Sequence, residues 1–202
     1  MSKSSLWDAS LVLLGGFLVA SFLVFAVGRD LRAVDSLLML GLLLVLSWLV
    51  EQSAISGYAY ISVFFFVPHL IGMFGLYAQV IAYDLVAHTV SMILLAPLVF
   101  ELMPQPGLLS RFIFVVLVLL GIGSLHEIGE YAGHCLFGWG EGILQTGSGD
   151  FSEGVALWQN MIHDMIANLL GAIIGGGIMC GKAYKQSSPL SGNASQYHRG
   201  RG

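Results

Sequence analysis

Three short stretches set acids, imidazoles and amides at helical spacing inside otherwise apolar sequence. YDLVAH carries Asp84 and His88, four residues apart. SLHEIGEYAGH carries His126, Glu127, Glu130 and His134, and LWQNMIHDMIANLLGAIIGG carries Asn160, Asp164 and Asn168, with Gly171 and Gly175 continuing the same face. At about 100° per residue, the four polar groups of the second stretch fall within an arc of about 100°, a stripe rather than a scattered ring. His163 points away from the third face. Asp164 lies about nine residues into its apolar run, about 13 Å below the helix end. A lone carboxylate at that depth costs about 2.5–3.5 kcal/mol on insertion scales, so it calls for a partner or a wet cavity.

Imidazole mixed with carboxylate suits a borderline divalent cation. Zn, Fe or Mn is favoured over Mg or Ca, which prefer all-oxygen sites. The expected metal ligands are Asp84, His88, Glu127, Glu130 and Asp164. Glu127, Glu130 and Asp164 are also the expected catalytic groups, because a carboxyl beside an ion is a workable general acid or base. Each residue has a plainer role to set against this. Asp84 could cap its helix, His88 could be a core histidine, and Asp164 with Asn168 could be interhelical glue. His126 and His134 read as interfacial with a ligand role as the alternative, Glu101 as interfacial, Glu51 as a helix-end residue, and His69 beside Pro68 as structural.

These stripes need helices to carry them, and the composition says in which solvent. Of 202 residues, 56% are hydrophobic and 10% charged, and the mean hydropathy is +0.83. Soluble domains carry about 25% charged residues. The expected fold is all-α, a polytopic transmembrane helix bundle of five or six spans over residues 1–181, with 182–202 a polar, disordered cytoplasmic tail. Spans are expected at 11–27, 36–50, 85–102, 109–136 and 155–180. Residues 57–83, broken by Pro68 and His69 and rich in Gly and Tyr, either cross or dip in and return. With six crossings, Lys3, Arg111, Lys182, Lys185, Arg199 and Arg201 oppose Arg29 and Arg32; with five, only Lys3 opposes the other basic residues. Charge bias and the placing of Glu51 tip the expectation towards five, with 57–83 re-entrant. Both arrangements put Asp84, Glu127, Glu130 and the acidic Gly-rich loop outside. The GSGD run in that loop is a weak anion-nest signal. Cys135 and Cys180 have no CxxC partner and read as small apolar residues. No basic stripe with interleaved aromatics points to nucleic acid.

YDLVAH, then HEIGEY behind an apolar run, then DMIANLLGAIIG, resembles the YjdF-like group of uncharacterised polytopic bacterial membrane proteins, whose skeleton is similar to that of VanZ-like proteins. The resemblance covers about residues 45–176. It implies Asp84 and His88 in the first element, Glu127 and Glu130 in the second, Asp150 closing the loop, and Asp164, Asn168 and Gly171 in the last helix. Glu51 and Pro68 also stand where such chains carry Glu and Pro. This chain departs from the pattern in having no arginine around Tyr83 and Asp84. The VanZ-like association with glycopeptide resistance implies the cell envelope without naming a reaction.

Three functions fit these residues. The first is a metal-dependent hydrolase or transferase acting on a lipid or envelope substrate at the outer leaflet. The second is a non-catalytic small subunit or assembly factor whose polar stripe is interhelical packing, with membrane-protein partners or a homo-oligomer. The third is an ion or proton carrier, against which no inverted repeat is evident. The bacterial inner membrane, with the C-terminus cytoplasmic, is the expected location.

Overall fold

The computed structural model describes residues 3–28, 30, 32–52, 59–80, 82–103, 107–137 and 155–187. The protein is an all-α polytopic bundle, without strands among the described residues. Five long apolar helices carry it: α1 (Lys3–Val27), α2 (Arg32–Gln52), α5 (Tyr83–Leu102), α6 (Leu108–Phe137) and α7 (Val155–Ser187). Between α2 and α5 the chain is broken into a 3-10 turn (Ala59–Phe64), α3 (Val67–Ile71), a π turn (Gly72–Leu76) and α4 (Tyr77–Gln79). α7 runs on past Cys180 to Ser187, beyond the point where the tail is expected to begin. Lys182, Ala183, Lys185 and Gln186 are good helix formers, and basic groups suit a helix C-terminus. The rest of the expected tail, 188–202, lies outside the described residues.

The core of the bundle is α5 packed on α7, with α6 closing the third side. The face of α7 buried here reads Asp164, Ala167, Asn168, Gly171, Ala172, Gly175, Gly176 and Met179, the three-and-four spacing of one helical stripe. The small residues bring the backbones together. A Cβ at Gly171 would collide with the Thr89 carbonyl oxygen, and one at Gly175 would stand 2.6 Å from the Ala96 Cβ. α5 and α7 run the same way, since Thr89 meets Gly171 and Ala96 meets Gly175. α6 opposes them, with Phe112 beside Gly176 and Gly123 beside Asn168.

The broken segment lies antiparallel to α5. Ser62 Oγ accepts from Leu98 N–H at 3.1 Å and donates to the Leu95 carbonyl at 3.4 Å. It thereby docks where Pro97 interrupts the α5 hydrogen-bond ladder. Further along, Tyr83 Oη donates to the Pro68 carbonyl at 2.8 Å. Arg32 Nη1 then donates to the Met73 carbonyl at 2.6 Å, while Phe74 stacks at 5.2 Å on Phe25. The turn between α1 and α2 therefore sits at the same end as the start of α5. The segment thus runs from beside Leu95 and Leu98 back to the N-terminal end of α5. Its backbone breaks are tolerated because Val63, Phe66, Leu70 and Met73 are buried in protein.

This corrects the five-crossing expectation. That arrangement placed the α1–α2 turn opposite Asp84, whereas the contacts of Arg32 and Phe25 place it beside the segment that leads into Asp84. The chain traverses the bundle six times, five as continuous helices and once as the broken segment. Charge counting missed this because Arg32 is held by Asp30 and a backbone carbonyl, contacts invisible to a tally of loop charges.

Candidate metal centre

His88 is the hub of the polar cluster. It sits one turn into α5 and is 1% exposed. Its Nδ1 lies 3.1 Å from Asn168 Oδ1 and 3.6 Å from Glu127 Oε1, and its Nε2 lies 3.5 Å from Asp84 Oδ1. Asn168 Nδ2 donates to Glu127 Oε1 at 3.5 Å, so the amide oxygen faces His88 and must accept from its Nδ1–H. In the neutral ring this leaves a lone pair on Nε2, which is buried without a hydrogen bond and faces a carboxylate. A lone pair aimed at an anion is an unfavourable pairing unless a proton or a cation lies between them.

Three more buried atoms of the cluster lack a hydrogen bond, His126 Nε2 and two carboxylate oxygens. Glu127 Oε2 and Asp164 Oδ1 have no hydrogen bond, and their residues are 2% and 1% exposed. Asp164 is held through its other oxygen, which accepts from Asn160 Nδ2 at 3.0 Å. Glu130 lies on the same stripe of α6 and pairs with His126, Nε2 to Oε1 3.3 Å.

The broken segment adds a third imidazole. His69 is buried, and its Nδ1 lies 2.7 Å from the Tyr77 hydroxyl. Its ring centre is 5.0 Å from that of His88 and 5.3 Å from that of His126, and the His88 and His126 centres are 5.4 Å apart. Two donor sets thus meet at His88. One ring nitrogen each from His69, His88 and His126 lie within 4.8 Å of one another, and so do single donor atoms from Asp84, His88 and Asp164.

Of the five ligands expected from sequence, Asp84, His88 and Asp164 converge on one point. Glu127 stands against the far nitrogen of His88, and Glu130 stands behind His126. His163 is exposed, as its place off the stripe predicts. The sequence reading missed the grouping of His69 with His126. The available signal was a histidine inside a segment of membrane-type composition, which is a functional candidate by default. The side chains of Glu51 and His134, and the GSGD loop at 147–150, lie outside what the structure describes.

Chemically, the pocket offers a divalent cation nitrogen and oxygen donors, and beside them carboxylates able to move protons. It lies at one end of the bundle. Towards the other end the buried faces of α5, α6 and α7 are Met92, Leu95, Val115, Leu119, Ala172 and Met179. Comparison with known proteins gives one family match, described as predicted membrane protein (DUF2238), over residues 6–185. No curated protein and no solved structure matches the chain.

Proposed function

This chain belongs to the DUF2238 family of predicted membrane proteins, and from that premise and the pocket at His88 we propose a metal-dependent hydrolase or transferase acting on a lipid head group or lipid-linked envelope substrate. The observation that carries the reading is the His88 Nε2 atom, buried, without a hydrogen bond and 3.5 Å from a carboxylate oxygen. A divalent cation there would turn an unfavourable pairing into coordination and would balance Asp84, Glu127 and Asp164. Once bound, it would polarise a substrate oxygen and favour deprotonation of a nucleophile. Glu127 and Asp164, each with an oxygen left over, would act as general base and general acid. One takes the proton from the attacking hydroxyl, and the other returns a proton to the departing oxygen.

The position of the pocket supports a substrate at the membrane surface. With the positive-inside rule, Lys3, Arg111, Lys182 and Lys185 mark the opposite end of the bundle as cytoplasmic, so the pocket faces outward and both termini face in. The likeness to YjdF-like chains, with their VanZ-like skeleton, agrees with a bacterial inner-membrane protein that works on the envelope. A carrier role is disfavoured by the apolar residues that close the other half of the bundle.

The test is metal content. Protein purified in detergent is expected to hold a stoichiometric divalent ion, and a chelator should lower its thermal stability. A clean preparation that has no metal, takes up none on reconstitution and melts the same with chelator would remove the catalytic reading. It would leave the polar stripe as interhelical packing.

A further inference from the structure

Resting on the reading that a cation binds at His88, we propose that its seat is the three-imidazole set His69, His88 and His126, a zinc-type site completed by the broken segment. Asp84 then stands beside the ion as a balancing charge and Asp164 as a proton-handling group, rather than as its ligands.

Geometry favours the imidazoles. On a tetrahedral ion with metal–nitrogen bonds of about 2.05 Å, and about 1.1 Å from nitrogen to ring centre, three imidazole centres lie about 5.2 Å apart. The observed separations are 5.0, 5.3 and 5.4 Å. The rings are mutually inclined at 88°, 62° and 50°, so none is stacked flat on another.

The outer contacts agree. A metal-binding histidine is oriented by a partner on the nitrogen that does not bind. Two of the rings have such a partner, Tyr77 Oη on His69 Nδ1 and Asn168 Oδ1 on His88 Nδ1, while His126 Nε2 is buried without a hydrogen bond 3.3 Å from Glu130 Oε1. That leaves Nε2 on His69 and on His88, and one nitrogen of His126 lies within 4.8 Å of a nitrogen on each of the other two rings. The three ligands come from three separate elements, α3, α5 and α6, so binding would cross-link the broken segment to two continuous helices.

The experiment uses the full chain in detergent, stripped with chelator, reloaded with Zn²⁺ and freed of excess metal. X-ray absorption at the zinc edge should show about three imidazoles around about one ion per chain. His69→Ala and His126→Ala should each weaken Zn²⁺ binding by at least about 100-fold, and Tyr77→Phe by about 10–100-fold. Asp84→Asn and Asp164→Asn, which remove a balancing charge and no ligand, should each weaken it by less than either histidine variant. The wild-type absorption spectrum keeps the proposal testable if a histidine variant fails to fold. A spectrum with a single imidazole and several oxygens would overturn it, as would Zn²⁺ held by both histidine variants and lost in Asp84→Asn. Either outcome leaves the metal-enzyme reading standing on the carboxylate set. A wild type that takes up no Zn²⁺ while binding another divalent ion ends only the zinc-type seat, and one that takes up no ion ends both.

Discussion

Asn168 faces two partners in opposite senses, accepting from His88 Nδ1 and donating to Glu127, and it is fully buried. Replacing it with Ala removes both hydrogen bonds and leaves the buried His88 N–H and Glu127 carboxylate facing each other only at 3.6 Å. A loss of about 1–3 kcal/mol is expected, because the cost is that of desolvated groups left unpaired. Thermal unfolding of Asn168→Ala in detergent reads this, and an unchanged melting temperature would show that Asn168 is not the strut described. At the α1–α2 turn, Arg32 Nε donates to Asp30 Oδ2 at 2.9 Å and holds the Asp30 carboxyl below its ordinary value of 3.8, against a smaller opposing effect of burial. The sign follows from linkage: a lowered carboxyl contributes stability that is in full force above the unfolded value and is lost as pH falls through the folded one. Protection against hydrogen exchange in this turn and around Met73, which Arg32 also binds, taken relative to the intrinsic rate at each pH, should therefore be constant above pH about 4 and fall below it. Asp30→Asn should raise the exchange at neutral pH and remove most of that acid dependence.

At the scale of elements, the last helix was the most legible part of the sequence. The spacing of Asn160, Asp164, Asn168, Gly171 and Gly175 already defined a face, and that face is the one packed on α5 and α6. It was legible because a helix converts spacing into direction with a single period. The broken segment has no such period. It changes from 3-10 to α to π geometry within residues 59–79, and Gly75 adopts a φ of 110°. The sequence flags the interruption through Pro68 and its glycines, but the direction of His69 depends on turns that no one repeat describes. The close face of α7 makes its own prediction. Gly171→Ala must push a methyl group into the Thr89 carbonyl, a rigid neighbour, and overpacking of this kind costs about 1–3 kcal/mol. Gly177→Ala, on an exposed face with nothing within 4 Å of the new Cβ, should be neutral or stabilising by up to about 1 kcal/mol from helix propensity. Melting temperatures of the two variants should separate in that order; equal shifts would mean that α5 and α7 are not in backbone contact at Gly171.

For the whole molecule, the deciding question is which ends of the helices share a side of the bilayer. Composition was enough for a membrane bundle and for five long apolar helices, but it could not decide the path of residues 57–83. The contacts decide it: Ser62 lies beside Leu95 and Leu98, Pro68 beside Tyr83, and Met73 beside Arg32, so the broken segment descends as α5 ascends. Asp30 then shares a side with Cys135 near the end of α6, while Gly107, before the start of α6, lies on the other. A five-crossing chain would instead pair Asp30 with Gly107. Single-cysteine variants distinguish the two: Asp30→Cys and Gly107→Cys in a background without the native thiols, and Cys135 retained alone. In sealed vesicles of one orientation, a membrane-impermeant maleimide should modify the cysteine at 30 and Cys135 from one face and the cysteine at 107 only after permeabilisation, or the reverse in inverted vesicles. Joint labelling of 30 and 107, with Cys135 protected, would break the six-pass path. It would also remove the physical route by which His69 reaches His88 and His126, because that route needs the broken segment to run the length of α5.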